Sequence, residues 1–473
     1  MTQIKFGTSG WRGILCDEFT LENVRVVTQA IADYLHDQGL TEKGVVVGYD
    51  ARFMGKDFAR ETVRVLAGAG IKAYLCNRDT PTPVISHELI RRQAAGAINF
   101  TASHNPYDYN GIKFSPAWGG PALPETTGDI EKRANAMLGE IVFKDMPLDE
   151  ADRKGLFEEI DPREDYFTTL RGLIDFAAIE KSGIKVAVNP LFGSGRGYLD
   201  RLLREAGVDI VTMNDHLDPY FGGEPPEPAE AHIQDFIELI RSDAAINLGV
   251  ATDGDADRFG IVDSDGSYIE PNYILALLFD YMIRTKGMKG NAARSVATSH
   301  LIDAVAAFHG VDVLETPVGF KFIGEYISEN KILIGGEESA GLSIQGHVPE
   351  KDGILACLMV AEMVAVEKKS LRQLLNDLYS RVGEIYTKRI NIRLSSDVEG
   401  GLPAKFANPP KQIGGRDVVQ VIQIDGNKYL FDDGSWMLFR KSGTEPVVRL
   451  YSEAKTEGRM KELLDLGQKF ILD

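Results

Sequence analysis

Short apolar runs and stretches of helical spacing alternate along the first two thirds of the chain. GVVVGYD (44–50), KAYLC (72–76) and AAGAINF (94–100) have strand length and composition, and between them the spacing predicts helices near 56–69 and 86–92. The rhythm returns at IKVAVNP (184–190), followed by a glycine-rich turn and a helix through Leu203. It returns again at SVATSH (295–300), followed by a helix over 301–308 and the run VDVLETP (311–317). Strand and helix in turn predict βαβ units on mixed or parallel sheets. Letter-by-letter identity between the copies is poor, so the repeat rests on element order. After a helix ending near Tyr379 the order changes to a loop over 400–415, the strand-like runs VVQVIQI (418–424) and WMLFRKSG (436–443), and a closing helix over 457–470. The acidic stretch 139–165 and the turn at Asp265 and Gly266 mark further boundaries. The expected fold class is α/β, with three related α/β domains on mixed sheets (1–160, 161–265, 266–380) and a smaller C-terminal α+β domain (381–473).

Length and charge narrow the function. At 473 residues the chain exceeds what one hydrophobic core usually supports, which agrees with several domains. The 52 basic and 70 acidic residues give a formal charge of -18, which argues against nucleic acid or anionic lipid as a partner. An anionic substrate must then be held by local arginines, lysines or a metal. No stretch approaches the roughly 20 apolar residues of a membrane helix. The N-terminal residues lack the pattern of a secretory signal, so a cytoplasmic location is expected. Cys16, Cys76 and Cys357 are odd in number and far apart, which predicts neither a disulfide framework nor a zinc cluster. Oligomeric state is not encoded legibly.

Three apolar runs stop at polar loops: AAGAINF before TASHNP (101–106), NLGVAT before DGDADR (253–258), and KILIG before GEESAG (336–341). Ligands of open α/β sheets sit beyond the carboxyl ends of strands, so chemistry is expected there. In DGDADR an extended segment would turn Asp253, Asp255 and Asp257 to one face, and like charges so close need a cation. Oxygen-only ligands favour magnesium or calcium over zinc. An EF-hand is ruled out, since Arg258 stands where it needs glycine and Ser264 where it needs glutamate. A solvated acidic turn with Arg258 as its counter-ion is the plainer alternative.

In TASHNP, Ser103 follows a buried strand and has His104 beside it, a nucleophile with a potential base, although serine and asparagine before proline also make ordinary turns. RKSGTEP (440–446) sets Arg440, Ser442, Gly443 and Thr444 around a turn with Arg449 beyond, groups that suit a phosphate dianion. GEESAG offers Glu337, Glu338 and Ser339 to sugar hydroxyls or forms a helix N-terminus. TPVGFK brings Lys321, either a second phosphate contact or a solvated lysine. GTSGWRG (7–13) carries Arg12 toward the substrate, whereas GSGRG (193–197) has the wrong glycine spacing for a dinucleotide fingerprint and reads as a tight turn.

Together TASHNP, DGDADR, GEESAG and RKSGTEP, in that order, closely resemble the motifs of the α-D-phosphohexomutases, the family of phosphoglucomutase and phosphomannomutase. The resemblance runs over nearly the whole chain. It implies four domains around a central cleft, a phosphoserine at Ser103, and a magnesium ion on Asp253, Asp255 and Asp257 with the phosphoserine oxygen completing the site. It further implies that Arg258 faces the sugar, that GEESAG grips its hydroxyls, and that RKSGTEP clamps the non-reacting phosphate. Lys113, in NGIK, and His104 are expected in acid–base or electrostatic roles. The implied reaction passes through a bisphosphorylated sugar, with glucose 1,6-bisphosphate as activator and intermediate and sugar phosphates as the expected small-molecule partners. GEESAG and TPVGFK look like the glucose-preferring branch; Gly341 occupies the position of the final histidine in the GEMSGH-like loop of bacterial enzymes acting on both mannose and glucose and in the GEQSGH loop of glucosamine-preferring ones. Glucose 1-phosphate is therefore the expected substrate, with mannose or glucosamine phosphate as alternatives and a silent sugar-phosphate-binding homologue as the competing class. A hinged last domain is expected to exclude water.

Overall fold

Four β-sheets organise the described residues, and three of them repeat one pattern. The structure, a computed structural model, describes residues 3–7, 10–139, 143–441 and 447–472. The first sheet has the spatial order Trp11–Ile14, Tyr109–Pro116, Gly96–Phe100, Val45–Tyr49, Ala73–Cys76, Phe157–Ile160. The second runs Tyr268–Ile269, Phe259–Asp263, Ile246–Thr252, Lys185–Asn189, Asp209–Thr212, and the third Val313–Thr316, Asn291–Ser295, Ile332–Glu337, Gly341–Ile344. In each, a central strand lies parallel to one neighbour and folds back on its other side as an antiparallel hairpin. Those hairpins join Gly96–Phe100 to Tyr109–Pro116, Ile246–Thr252 to Phe259–Asp263, and Ile332–Glu337 to Gly341–Ile344. The central strands are buried on both faces, which is why they read as apolar runs without alternation.

Several elements differ from the sequence reading. The helix expected from 86 begins earlier, as Thr82–Arg92, because Pro83 fits its first turn. SVATSH is not a strand: the strand is Asn291–Ser295, and the rest turns into the helix Leu301–His309. NAARS has little intrinsic strand preference, but strands pair with it on both edges, and that context decides. The polar stretch 139–165 contains the helix Leu148–Arg153 and the strand Phe157–Ile160, which extends the first sheet alongside Ala73–Cys76 with Lys72 paired to Glu158 at 2.7 Å.

The fourth sheet is antiparallel throughout, in the order Tyr386–Arg393, Val447–Ala454, Trp436–Lys441, Asn427–Phe431, Arg416–Ile422, Gln412–Ile413, and the helix Glu457–Leu472 packs on it. The stretch 400–415 is not all loop, since the helix Ser396–Ala407 covers its first half and buries Leu402 in the core of this sheet.

The largest core joins the second and third sheets through the helix Gly353–Glu367, whose sequence is apolar almost all round and which is buried from Gly353 to Ala365. Its start is pressed against DGDADR: Gly353 N–H donates to Ala256 O at 3.1 Å, and a Cβ on Gly353 would lie 2.3 Å from Arg258 O. No described helix is long and apolar enough to cross a membrane.

Candidate active site

The three polar loops singled out by sequence are the turns of the three equivalent hairpins. Each carries one non-glycine residue in the left-handed region: Ser103 at φ 51°, Ala256 at φ 55° and Ala340 at φ 69°. That conformation costs about 1–2 kcal/mol per residue and persists only where the surroundings enforce it.

Around Ser103 the enforcing group is Arg52, which the sequence reading missed. Its guanidinium binds Asp50 and donates to four main-chain carbonyls of the serine loop: Ser103 and Asn105 at 2.6 Å, Pro106 at 2.6 Å and Tyr109 at 3.0 Å. The available signal was DAR directly after GVVVGYD, at the carboxyl end of a strand. Held this way, Ser103 is 1% exposed, its Oγ donates to Asp253 Oδ2 at 2.8 Å, and His104 Nδ1 lies 3.3 Å from Ser103 Oγ. Arg12 donates to Asn105 Oδ1 at 2.6 Å, on the strand beside this loop.

DGDADR is a turn and not the extended segment expected. Ala256 N–H donates to Asp253 O and Arg258 N–H to Asp253 Oδ1, both at 3.0 Å, so a tight reversal converges the carboxylates. Oxygens of Asp253, Asp255 and Asp257 lie within 4.8 Å of one another, and all three residues are buried. The GSGRG turn supports them from behind: Ser194 N–H donates to Gly254 O at 3.0 Å, and a Cβ on Gly193 would come within 2.7 Å of that carbonyl.

Two lysines neutralise part of the cluster. Lys113 Nζ reaches Asp255 at 2.6 Å and Asp257 at 3.1 Å, while Lys351, which sequence reading missed in PEKDG, reaches Asp257 at 3.1 Å and Glu350 at 2.8 Å. Thr82 donates to Asp255 at 2.6 Å. Burial and the two neighbouring carboxylates push Asp253 well up. Against burial, Lys113 and Thr82 hold Asp255 low, and against burial and Asp255, the two lysines and Arg258 do the same for Asp257. Arg258, then burial and Arg12, hold His104 well below the usual imidazole range, so its ring is neutral. Asp255 Oδ1 and Asp257 Oδ1 are buried with no hydrogen-bond partner among the described residues, Arg258 Nε lying 3.8 Å from the latter. Buried carboxylate oxygens left without hydrogen bonds beside a serine hydroxyl fit a hard divalent cation.

A cavity of about 440 Å³ opens between the last three sheets, lined by Glu227, Arg258, Tyr268, Glu338, Ser339 and Tyr451 among others. Glu337 instead turns inward, accepting from Gly319 N–H at 2.7 Å and so tying GEESAG to TPVGFK; burial and Glu338 raise its pKa to about 7. Lys321 starts the helix Phe320–Ser328, half-buried with its Nζ over the Phe322 ring, and no described ion pair joins it to the aspartates. Arg440 and Arg449 are paired across adjacent strands, and Arg440 donates to Asp425 at 2.8 Å. Ser442, Gly443 and Thr444 lie outside the described residues. The structure thus brings together Ser103, His104, Lys113, Arg12, the three aspartates and Arg258, with Ser339 on the cavity they border.

Residues 3–138, 164–266 and 270–382 match α/β/α domains I, II and III of phosphoglucomutase/phosphomannomutase, and residues 390–466 match its C-terminal domain. A phosphoglucomutase/phosphomannomutase of Thermococcus kodakarensis is 33% identical over 98% of both chains. A Methanosphaera stadtmanae protein assigned as a phosphoglucosamine mutase is 31% identical over 98% of both. Among solved structures, a Thermus thermophilus protein described as a phosphomannomutase superposes with a TM-score of 0.85 at 32% identity, covering both chains fully. Four such domains around buried aspartates and a serine define a sugar-phosphate isomerase of the intramolecular phosphotransferase type. The chain belongs to the α-D-phosphohexomutase family.

Proposed function

We propose that the chain interconverts glucose 1-phosphate and glucose 6-phosphate, carrying the moving phosphoryl group on Ser103 and passing through glucose 1,6-bisphosphate. The observation that carries this reading is the Ser103 hydroxyl, 2.8 Å from Asp253 at the tip of a loop gripped by Arg52. In the first half-reaction the bond from phosphorus to Ser103 Oγ breaks as one to a sugar hydroxyl oxygen forms; the hydroxyl gives up its proton and the serine oxygen regains one. His104, neutral and 3.3 Å from that oxygen, is the group for the proton exchange there. Asp253, Asp255 and Asp257 would hold a magnesium ion, which when bound supplies positive charge to the transferring phosphoryl group. Lys113 keeps its proton through Asp255 and Asp257 despite burial, so it acts as a fixed cation next to the serine loop. Arg258 and Ser339 frame the sugar, and Glu337, turned inward onto Gly319 N–H, braces the GEESAG loop that presents Ser339. Arg440 and Arg449, with Ser442, Gly443, Thr444 and Lys321, meet the phosphate that is not being transferred. The bisphosphate then turns over, and the same groups return its other phosphoryl to Ser103.

Glucose preference rests on the likeness of GEESAG and TPVGFK to the glucose-preferring branch, with Gly341 where the loops of dual mannose/glucose enzymes and of glucosamine enzymes carry histidine. The relatives named for glucosamine set the comparison to make. The test is magnesium-dependent turnover of glucose 1-phosphate, primed with glucose 1,6-bisphosphate, with mannose 1-phosphate and glucosamine 1-phosphate in parallel. Turnover should be fastest with glucose and fall at least about a thousandfold in Ser103→Ala. Full activity in that variant, or none in the parent, would overturn the mechanism.

A further inference from the structure

One buried hydroxyl in the cleft has no role in the mechanism above. Tyr451 is 3% exposed, and its hydroxyl has no hydrogen-bond partner among the described residues. Leaving a buried hydroxyl unpaired costs about 1–3 kcal/mol, so such a group calls for a reason. Tyr429 shows the same shortfall in the same sheet, but its ring packs in the core against Phe439 and Phe470, at 5.8 and 6.1 Å. Tyr451 lines the 440 Å³ cavity instead. Residues two apart on a strand share a face, so Tyr451 points the same way as Arg449. Arg389 stands directly across one neighbouring strand, and Arg440 faces Arg449 across the other. Arg440 Nε is also buried and unpartnered among the described residues. Glu338, the nearby carboxylate on the cavity wall, accepts from Ser295 at 3.2 Å and Thr298 at 3.4 Å.

A neutral donor set among three guanidinium groups suits an anion with more acceptor oxygens than the arginines alone engage. Resting on the mutase reading above, we propose that Tyr451 is a substrate-binding residue whose hydroxyl donates to the phosphate that is not being transferred.

The test measures binding of glucose 1-phosphate and glucose 6-phosphate by calorimetry, together with steady-state kinetics, for the parent, Tyr451→Phe and Tyr429→Phe. Tyr451→Phe should weaken both ligands by about tenfold, equivalent to about 1.4 kcal/mol, and raise KM with kcat nearly unchanged, as expected when binding is lost equally in ground and transition states. Tyr429→Phe should match the parent in binding and kinetics, and both variants should equal or exceed the parent's thermal midpoint, since each sheds an unpaired buried hydroxyl. The two ligands should weaken by the same factor, because the distant phosphate occupies one position in both orientations of the sugar. Parent-like binding in Tyr451→Phe, equal losses in the two variants, or an effect on only one ligand would overturn the assignment. A parent that binds neither sugar phosphate would instead overturn the mutase reading itself.

Discussion

Lys113 and Lys351 share one aspartate, and the stability consequence lies in what remains when either ammonium is removed. Lys351 is almost fully buried between Asp257 and Glu350. Lys351→Met leaves both carboxylates without this cation, which should cost about 3–5 kcal/mol in a metal-free denaturant titration; a loss under about 1 kcal/mol would mean that solvent already screens the pair. Glu337 gives a pH signature of its own. Its folded pKa, about 7, lies above the ordinary glutamate value of 4.5, so the folded state holds the extra proton between those values. Stability from this group is complete below about pH 4.5 and is lost as pH rises through about 7. Glu337→Gln can still accept from Gly319 and has nothing to lose. Relative to the parent, its thermal midpoint should rise steadily from about pH 4.5 to 7 and then level off, a shift equivalent to roughly 3 kcal/mol. A constant offset across that range would show that Glu337 titrates normally.

At the scale of elements, the hairpin turns depend on their neighbours more than on their own residues. Gly193, in a turn that looked merely structural, touches the backbone of Gly254 so closely that Gly193→Ala must displace the aspartate loop. Magnesium affinity measured by calorimetry should fall at least about tenfold, with the secondary structure retained; unchanged affinity would show that the loop yields without losing its geometry. The same distinction explains what was legible in the sequence. The three central strands, the loops after them and the residues Ser103, Asp253, Asp255 and Asp257 stood out because buried parallel strands are continuous apolar runs and a polar loop interrupts them abruptly. Arg52, Thr82 and Lys351 did not, because each sits in its own ordinary-looking segment and acquires its partner only through tertiary contact, Thr82 with Asp255 across 173 positions of sequence. The strand Asn291–Ser295 and the helix Ser396–Ala407 were missed for a related reason: neighbouring strands create the first, and burial of Leu402 anchors the second despite Pro403 inside it.

For the whole molecule, the last sheet docks on the third through a small apolar cluster of Val296, Ala297, Trp436, Leu438 and Tyr451, with Lys428 at its edge. Lys428 is fully buried, donates to Val296 O at 2.9 Å and His300 Nε2 at 2.8 Å, pairs with Glu315 at 3.3 Å, and lies over the Trp436 ring. Burial, then Arg294, lower its pKa from 10.5 to about 8. The unfolded chain therefore holds the proton more tightly, and stability should rise as pH goes from about 8 toward 10.5. Compared with Lys428→Met, the parent should gain thermal stability across that window; no relative gain would mean the ammonium is not strained at this joint. The order of the parts along the chain also bears on how the protein is made. Ser103 lies in the first quarter of the sequence, the aspartates near its middle, and Arg440, Arg449 and Tyr451 in its last tenth. During translation the serine and the aspartate cluster are made well before the strands bearing Arg440, Arg449 and Tyr451 emerge from the ribosome, so, on the proposed mechanism, a nascent or truncated chain would own the reacting groups yet lack the means to retain a sugar phosphate beside them.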